Sequence, residues 1–193
     1  MDLAKTYSEI IDDPGMGRME LFTLSTDEQV LFALLKDLFT NHWDKLVFGS
    51  LVQGAVFEIR APNAPQKVSM FDGYLTVDFG AWHFHVCIGQ HKGTPRFPVA
   101  PELAHHRRTA RAELVRLLNS DGTPRSWMLR LANGKDEQQM TVFLPNPFLD
   151  GEKIVKTPDW ARLSLWDELR ARYLGLPPDP LDRAGEKFRC GGH

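Results

Sequence analysis

The sequence is poor in cysteine, has no long apolar run and carries almost no net charge. Two cysteines, Cys87 and Cys190, cannot build a disulfide framework, so a cytoplasmic protein is expected. The first residues lack the basic and apolar regions of a secretory signal. The most apolar stretch, residues 30–39, contains Lys36 and Asp37 and is too short to span a membrane. A formal net charge of -2 argues against general binding to nucleic acid or to anionic membranes.

Length and composition predict one globular domain with a C-terminal tail. The chain has 193 residues, of which 42% are hydrophobic and 25% are charged, as in ordinary folded domains. Prolines and glycines are frequent after residue 176. We therefore expect a single domain over residues 1–176 and a loosely held tail over residues 177–193, in which Cys190 is a mobile thiol.

Hydrophobic spacing predicts three helices. The first has a capping-box pattern, with Ser25 as the N-cap and Glu28 three residues later, and it ends near Lys45. A second helix is expected over residues 101–118, because a proline suits its first turn and leucines follow at helical spacing. Thr157 is the expected N-cap of the third helix. The apolar face of the first helix consists of Leu31, Leu34, Leu35 and Leu38.

Alternation of apolar and polar residues predicts strands between these helices. The last two strands join through Asn133 and Gly134, which form a typical hairpin turn. The order of elements indicates an α+β protein, a two-layer sandwich with an antiparallel or mixed sheet of about five strands and helices on one face. The expected strands cover residues 54–61, 74–79, 82–88, 127–132 and 137–144.

The expected strand over residues 82–88 carries two histidines in alternation. Successive side chains of a strand point to opposite faces, so His83, His85 and Cys87 share one face. Same-face positions lie about 7 Å apart, which lets two imidazoles bind one metal ion. His91 follows closely enough to be a third ligand. We therefore predict a divalent metal cofactor, zinc or iron, at His83, His85 and His91.

A carboxylate would complete such a site. Glu137 begins an expected strand whose polar face we place on the same side of the sheet as the histidines. Asp72, Asp78 and Glu58 are alternatives for this role. Cys87 is a fourth ligand, a nucleophile or an inert buried thiol. Glu137 and Cys87 are thus the candidate catalytic residues.

Three arginines cluster in the expected second helix. Arg107, Arg108 and Arg111 are neighbours at helical spacing, so their charges repel unless an anion lies between them. Arginine binds carboxylates and phosphates through two parallel hydrogen bonds. We predict that these three residues bind an anionic substrate; pairing with acidic partners such as Glu102 or Glu113 is the alternative.

Three segments of the chain resemble an uncharacterised family of small bacterial proteins. They are Trp-His-Phe-His-Val-Cys-Ile-Gly at residues 82–89, Arg-Arg-Thr-Ala-Arg-Ala-Glu-Leu at residues 107–114, and Glu-Gln-Gln-Met-Thr-Val-Phe-Leu-Pro-Asn-Pro at residues 137–147. The resemblance covers about residues 54–175. No activity is assigned to that family, so the resemblance implies no function.

Two functions follow from these features. The first is a metal-dependent enzyme, a hydrolase, lyase or oxygenase, that acts on a small anionic or carbonyl-containing substrate; its metal polarises a carbonyl or activates water. The second is a non-catalytic, homodimeric binding protein whose histidine-rich sheet face is an interface or docking surface. The expected partners are a small molecule or a second copy of the chain, and neither nucleic acid nor a membrane.

Overall fold

A computed structural model describes residues 8–52 and 54–185 of the chain. Cys190 and residues 186–193 of the expected tail lie outside this described part. Within it, no helix combines the length and apolarity needed to cross a membrane. The α-helices are α1 (Glu28–Asn41), α2 (Pro101–Arg107) and α3 (Ser164–Leu174).

The strands are numbered along the chain, and together with the helices they confirm the α+β class. They are β1 (Ser8–Asp13), β2 (Gly17–Thr23), β3 (Val47–Gly49), β4 (Leu51–Val52), β5 (Ala55–Val56), β6 (Lys67–Phe71), β7 (Tyr74–Asp78), β8 (His83–Cys87), β9 (Thr109–Leu118), β10 (Pro124–Asn133), β11 (Gln138–Phe143), β12 (Leu149–Asp150) and β13 (Lys153–Ile154).

Six antiparallel strands form the main sheet, in the spatial order β1, β2, β9, β10, β11 and β3. About five strands were expected. β9 pairs with β2 so that Leu117 lies opposite Met19 and Leu114 lies opposite Phe22. All four side chains are buried, so this strand pair contributes directly to the apolar core.

The prediction of a second helix over residues 101–118 is correct only for α2 and wrong for residues 109–118. α2 ends at Arg107, because Arg108 is extended, with φ -67° and ψ 143°, and residues 109–118 form β9 instead. Leucine, alanine, arginine and glutamate all favour helices intrinsically, and the leucines of β9 have helical spacing as well. β9 is buried along most of both faces, so tertiary packing overrides these local preferences.

The first and third helices form, but with different caps, and α1 ends at Asn41 rather than near Lys45. Asp27, rather than Ser25, caps α1, and its carboxylate accepts two N–H groups of the first turn. A short 3-10 helix (Trp43–Lys45) follows the end of α1. A second 3-10 helix (Trp160–Leu163) precedes α3, so the third helix begins later than a cap at Thr157 predicts.

The expected strands are found with one exception. β7, β8 and the β10–β11 hairpin confirm four of the five. The stretch over residues 54–61 contains only β5, which pairs with β4, and a single bridge between Ile59 and Phe48. Most side chains of this stretch are exposed, so its alternating pattern has no sheet to pack against.

The chain forms two compact units, each built from more than one segment. In the described part of the chain, the first unit comprises residues 8–24, 113–129 and 143–185, and the second comprises residues 25–52, 54–112 and 130–142. The core of the first unit includes Met19, Leu21, Val115, Leu117 and Met128.

The second unit contains α1, α2 and a separate three-stranded sheet in the order β6, β7, β8. One face of this small sheet is apolar, with Leu75 and Val77 fully buried. On the same face, the Phe84 ring lies 5.2 Å from the Phe39 ring of α1 and 5.4 Å from the Phe48 ring. The opposite face of the small sheet carries the histidines of β8.

Candidate functional site

The two histidines of β8 lie on one exposed strip of the small sheet. His83 and His85 are both exposed, whereas Phe84 points to the packed face. The ring centroids of the two histidines are 5.0 Å apart, with an interplanar angle of 71°. The structure therefore confirms the predicted strand. It also confirms that the two histidines share one face of it.

Thr76 orients His85. The two residues are cross-strand partners in the β7–β8 pair, and Thr76 Oγ1 lies 2.7 Å from His85 Nδ1. In the tautomer with its proton on Nδ1, His85 donates to the hydroxyl and keeps a free lone pair on Nε2. A neutral imidazole held in this way is the usual form of a metal ligand.

Asp78 lies directly opposite His83 in the same register. One oxygen of its carboxylate accepts the Gly80 N–H at 2.8 Å, which ties the side chain to the turn after β7. Within residues 8–52 and 54–185, no three His, Cys, Asp or Glu side chains are grouped so that they could hold a metal ion. The histidine pair therefore has no third protein ligand in the described arrangement.

His91 is engaged in a different cluster. Its Nε2 lies 3.4 Å from Asp72 Oδ2, and its ring packs edge-on against Tyr74 with centroids 5.0 Å apart. Arg107 Nη1 lies 3.5 Å from the other ring nitrogen, Nδ1. The structure thus brings His91 together with a carboxylate, a phenol and a guanidinium, and not with the β8 histidines.

Asp72 anchors the loop that carries His91. It occupies a left-handed position, φ 46°, in the turn between β6 and β7. Its carboxylate accepts the N–H groups of Lys92 at 2.8 Å and of Gly93 at 2.9 Å. The Lys92 hydrogen bond lowers the pKa of Asp72, with burial acting in the opposite direction. Asp72 therefore anchors this loop and, among the described residues, is not grouped with the β8 histidines as a third metal ligand.

Cys87 shares the histidine face by register but is buried and forms no disulfide. Its Sγ donates weakly to the Gly89 carbonyl, 3.6 Å away, and Tyr74 lies within hydrogen-bonding range. Burial raises the pKa of the Cys87 thiol, and burial also raises the pKa of Tyr74. Of the three roles considered for Cys87, these surroundings favour the inert thiol.

Glu137 was expected to share a sheet face with the histidines, and that expectation is wrong. β11 belongs to the main sheet, whereas β8 belongs to the small sheet. Glu137 itself precedes β11 and accepts hydrogen bonds from Asn133 Nδ2 at 2.8 Å and, in a salt bridge, from His106 Nε2 at 2.7 Å. The Asn133 hydrogen bond, followed by that of His106, lowers the pKa of Glu137.

The three arginines do not lie on one helix, because α2 ends at Arg107. Arg111 is in β9 and pairs with Asp136. The Arg108 side chain donates to the Thr26 carbonyl at 3.4 Å. Arg107 is held by His91 and by the Tyr74 hydroxyl. Their predicted helical spacing is therefore wrong for Arg108 and Arg111, since the helix ends before either residue.

Gln139 and Thr109 join the end of β8 to the region of the arginines. The Gln139 amide donates to the Cys87 carbonyl at 3.3 Å and to the Arg107 carbonyl at 2.7 Å. The Thr109 hydroxyl contacts the Cys87 carbonyl at 3.0 Å and Gln139 Oε1 at 2.7 Å. These contacts hold the backbone of α2 in place beside β8.

Sequence reasoning missed Tyr74, Thr76 and the anchoring role of Asp72. The alternation of β7 places Tyr74 and Thr76 on one face, which was a usable signal. Their partners depend on the register that pairs Tyr74 with Cys87 and Thr76 with His85. Register is set by turn geometry and burial, which local alternation does not specify.

Comparisons with known proteins give a family and a fold. A search of curated proteins finds no match. The chain is similar to the crystal structure of ChuX, with a TM-score of 0.50 and 12% identity over 78% of this chain and 75% of that chain. At this identity the likeness shows a shared fold alone. The sequence model of a family of unknown function, DUF7676, matches residues 8–175. The expected resemblance to a family without an assigned activity is thereby confirmed, and the chain belongs to this family of unknown function.

Proposed function

We propose that this protein binds a divalent transition-metal ion through His83 and His85, and that a small exogenous molecule completes the coordination of the metal. The observation that carries the proposal is the pair of exposed imidazoles with ring centroids 5.0 Å apart. The proposal assigns no catalytic role to Glu137 or Cys87, because both are engaged in other contacts.

The separation of the rings supports chelation. With zinc–nitrogen bonds of about 2.0–2.1 Å, two imidazoles on one tetrahedral metal have ring centroids about 5 Å apart. The observed separation is 5.0 Å. The observed separation therefore matches the one that a shared tetrahedral metal requires.

The environment of His85 also supports a ligand role. Metal-bound histidines usually donate their second ring N–H to a neighbouring acceptor, which fixes the tautomer and the ring orientation. Thr76 Oγ1, 2.7 Å from His85 Nδ1, supplies such an acceptor and directs Nε2 away from β7. This contact reduces the entropy that His85 loses when it binds a metal.

The small number of protein ligands favours a bound small molecule. Structural zinc sites use four protein ligands, whereas sites that exchange ligands keep positions open. In the described part of the chain, the histidines are not joined by a third metal-binding side chain. The remaining positions are then available to water or to an oxygen- or nitrogen-bearing ligand.

Zinc titration of the tag-free protein tests this proposal. The wild-type protein should take up about one equivalent, and His83→Ala/His85→Ala should abolish this binding while the protein stays folded. Thr76→Val should weaken zinc binding about tenfold, because it removes the acceptor for His85 Nδ1. His105→Ala is the matched control, since it removes an exposed histidine of α2.

Two results would contradict the proposal. Absence of zinc, cobalt or iron uptake by the folded wild-type protein would exclude a metal site on β8. A change of oligomeric mass in the double variant, without any metal uptake by the wild type, would favour the second function: a homodimer with the histidine face as its interface. Calorimetry and light scattering on the same samples separate these outcomes.

A further inference from the structure

We infer that Arg107 forms an oxyanion subsite that receives a carboxylate or phosphate group of the molecule bound at the histidine pair. This inference rests on the proposed function for the identity of the shared molecule. It narrows the class of ligand to small molecules that carry an oxyanion and, at a second position, an atom that coordinates a metal.

Two side chains lie against the guanidinium of Arg107. Arg107 Nη1 lies 3.5 Å from His91 Nδ1, and the Tyr74 hydroxyl lies within hydrogen-bonding range of the same guanidinium. Gln139 fixes the backbone by donating to the Arg107 carbonyl at 2.7 Å. An arginine positioned in advance loses less side-chain entropy when it binds a ligand.

Arg107 also has donors to spare. A guanidinium carries five N–H donors, more than its neighbours His91 and Tyr74 require. Among the residues that the structure describes, no carboxylate forms an ion pair with Arg107. Arg111, Arg116 and Arg183, by contrast, all pair with aspartates. Arg107 is thus an exposed arginine whose guanidinium is oriented by its neighbours and has N–H donors available to a ligand.

The surrounding segment concentrates positive charge. Residues 89–108 contain four arginines and lysines and one glutamate, a net charge of +3 on a chain whose formal net charge is -2. The cations are Lys92, Arg96, Arg107 and Arg108. A local positive field of this kind attracts anionic ligands and raises their association rate.

One face of β7 carries a neighbour of Arg107 and a neighbour of His85. Tyr74, which contacts Arg107, is two residues before Thr76, which contacts His85. Side chains two residues apart on one strand face lie about 7 Å from each other. A dicarboxylate or a phosphate monoester is long enough to bridge two such positions on this face.

Isothermal titration of the metal-free and zinc-loaded protein with two probes, succinate and inorganic phosphate, tests the inference. Arg107→Ala should lower the affinity of the tighter probe about tenfold or more, and Arg107→Lys should restore part of the loss. Arg96→Ala is the matched control, because it removes one positive charge from the same segment. It should change the affinity less than about twofold. The tighter probe identifies the oxyanion as carboxylate or phosphate.

Equal losses in Arg107→Ala and Arg96→Ala would overturn the subsite, since they would indicate diffuse attraction to the whole segment. Absence of saturable binding of either probe to the wild-type protein would also overturn it. Probe binding that depends on Arg107 in a protein that takes up no metal would leave the subsite in place and show that the metal proposal had failed. The two proposals therefore fail through different measurements.

Discussion

Cys87 has different surroundings from the two histidines with which it shares a strand face. It alternates with two histidines along β8, yet it is buried, whereas His83 and His85 are exposed. Thr109 and Gln139, which lie far from Cys87 in the chain, donate to its carbonyl, and Tyr74 lies beside its thiol. Alternation correctly predicted the side of the strand on which Cys87 lies, but burial on that side depended on the tertiary structure.

We expect the Cys87 thiol to react slowly in the native protein. Burial raises its pKa, which lowers the fraction of the reactive thiolate. In a Cys190→Ser variant, Cys87 is the one remaining cysteine of the sequence. Its reaction with Ellman's reagent near neutral pH should be slow when the protein is folded and fast in urea. Rapid reaction in the folded state would favour the nucleophile role.

Asp182 is a fully buried carboxylate of the first unit with partners on four residues. It accepts the indole N–H groups of Trp127 and Trp166, each at 2.8 Å. Arg116 and Arg170 complete its surroundings at 3.0 and 3.4 Å. A residue within the expected C-terminal tail therefore organises part of a buried network.

Asp182→Ala should destabilise the protein by about 3–5 kcal/mol, because it removes the acceptor of two buried indole N–H groups and the carboxylate that pairs with the buried Arg170. Asp44→Ala, at an exposed aspartate, should stay within about 0.5 kcal/mol of the wild type. Urea unfolding followed by tryptophan fluorescence measures both variants. Equal stability of the two variants would mean that the Asp182 network contributes nothing to folding.

At the scale of elements, the turn between β6 and β7 links the small sheet to the loop of His91. Asp72 and Gly73 both have positive φ, 46° and 80°. A Cβ at Gly73 would lie 2.6 Å from the Gln90 carbonyl carbon, so glycine is required for this close approach as well as for the turn. The Asp-Gly pair is a visible turn signal, but the loop that packs on it is not visible from the sequence.

Acid should weaken the contribution of the Asp72 carboxylate to the stability of the folded protein. The folded-state pKa of Asp72 is lowered, so its carboxylate contributes stability above its unfolded pKa, and the contribution is lost as the pH falls through the folded pKa. The difference in unfolding free energy between wild type and Asp72→Ala should therefore be larger near pH 7 than near pH 3.

Urea unfolding at both pH values measures this difference. Asp72→Asn is the matched control, because it keeps an acceptor for the Lys92 N–H and carries no charge. A difference between wild type and Asp72→Ala that did not change with pH would contradict the role of the ionised carboxylate.

β9 is an element that sequence reasoning assigned incorrectly, as a continuation of α2. Its composition and leucine spacing both favour a helix, and α2 does begin as predicted at Pro101. The decisive property is burial of nearly every residue of β9, charged ones such as Glu113 and Arg116 included. A strand that is buried on both faces shows no alternation of apolar and polar residues. Only its pairing with neighbouring strands therefore identifies it.

For the whole molecule, we expect amide exchange to be slowest in β9 and β10. Both are ten-residue strands in the interior of the main sheet and are largely buried. β1 is an edge strand with mostly exposed residues and should exchange much faster. Hydrogen–deuterium exchange read by mass spectrometry tests this order. Equal protection of β1 and β9 would contradict it, and so would protection of residues 109–118 with a helical pattern in solution NMR.

Local patterns in the sequence were sufficient for α1, for the hairpin turns and for the shared face of His83 and His85, because helical and strand periodicity are properties of neighbouring residues. Tertiary structure alone decided that β8 and β11 lie in different sheets, which separates Glu137 from the histidines. It also decided that Tyr74 and His91 orient Arg107. Strand register, sheet membership and two-sided burial arise from contacts between residues far apart in the chain, and such contacts leave no periodic signal in the sequence.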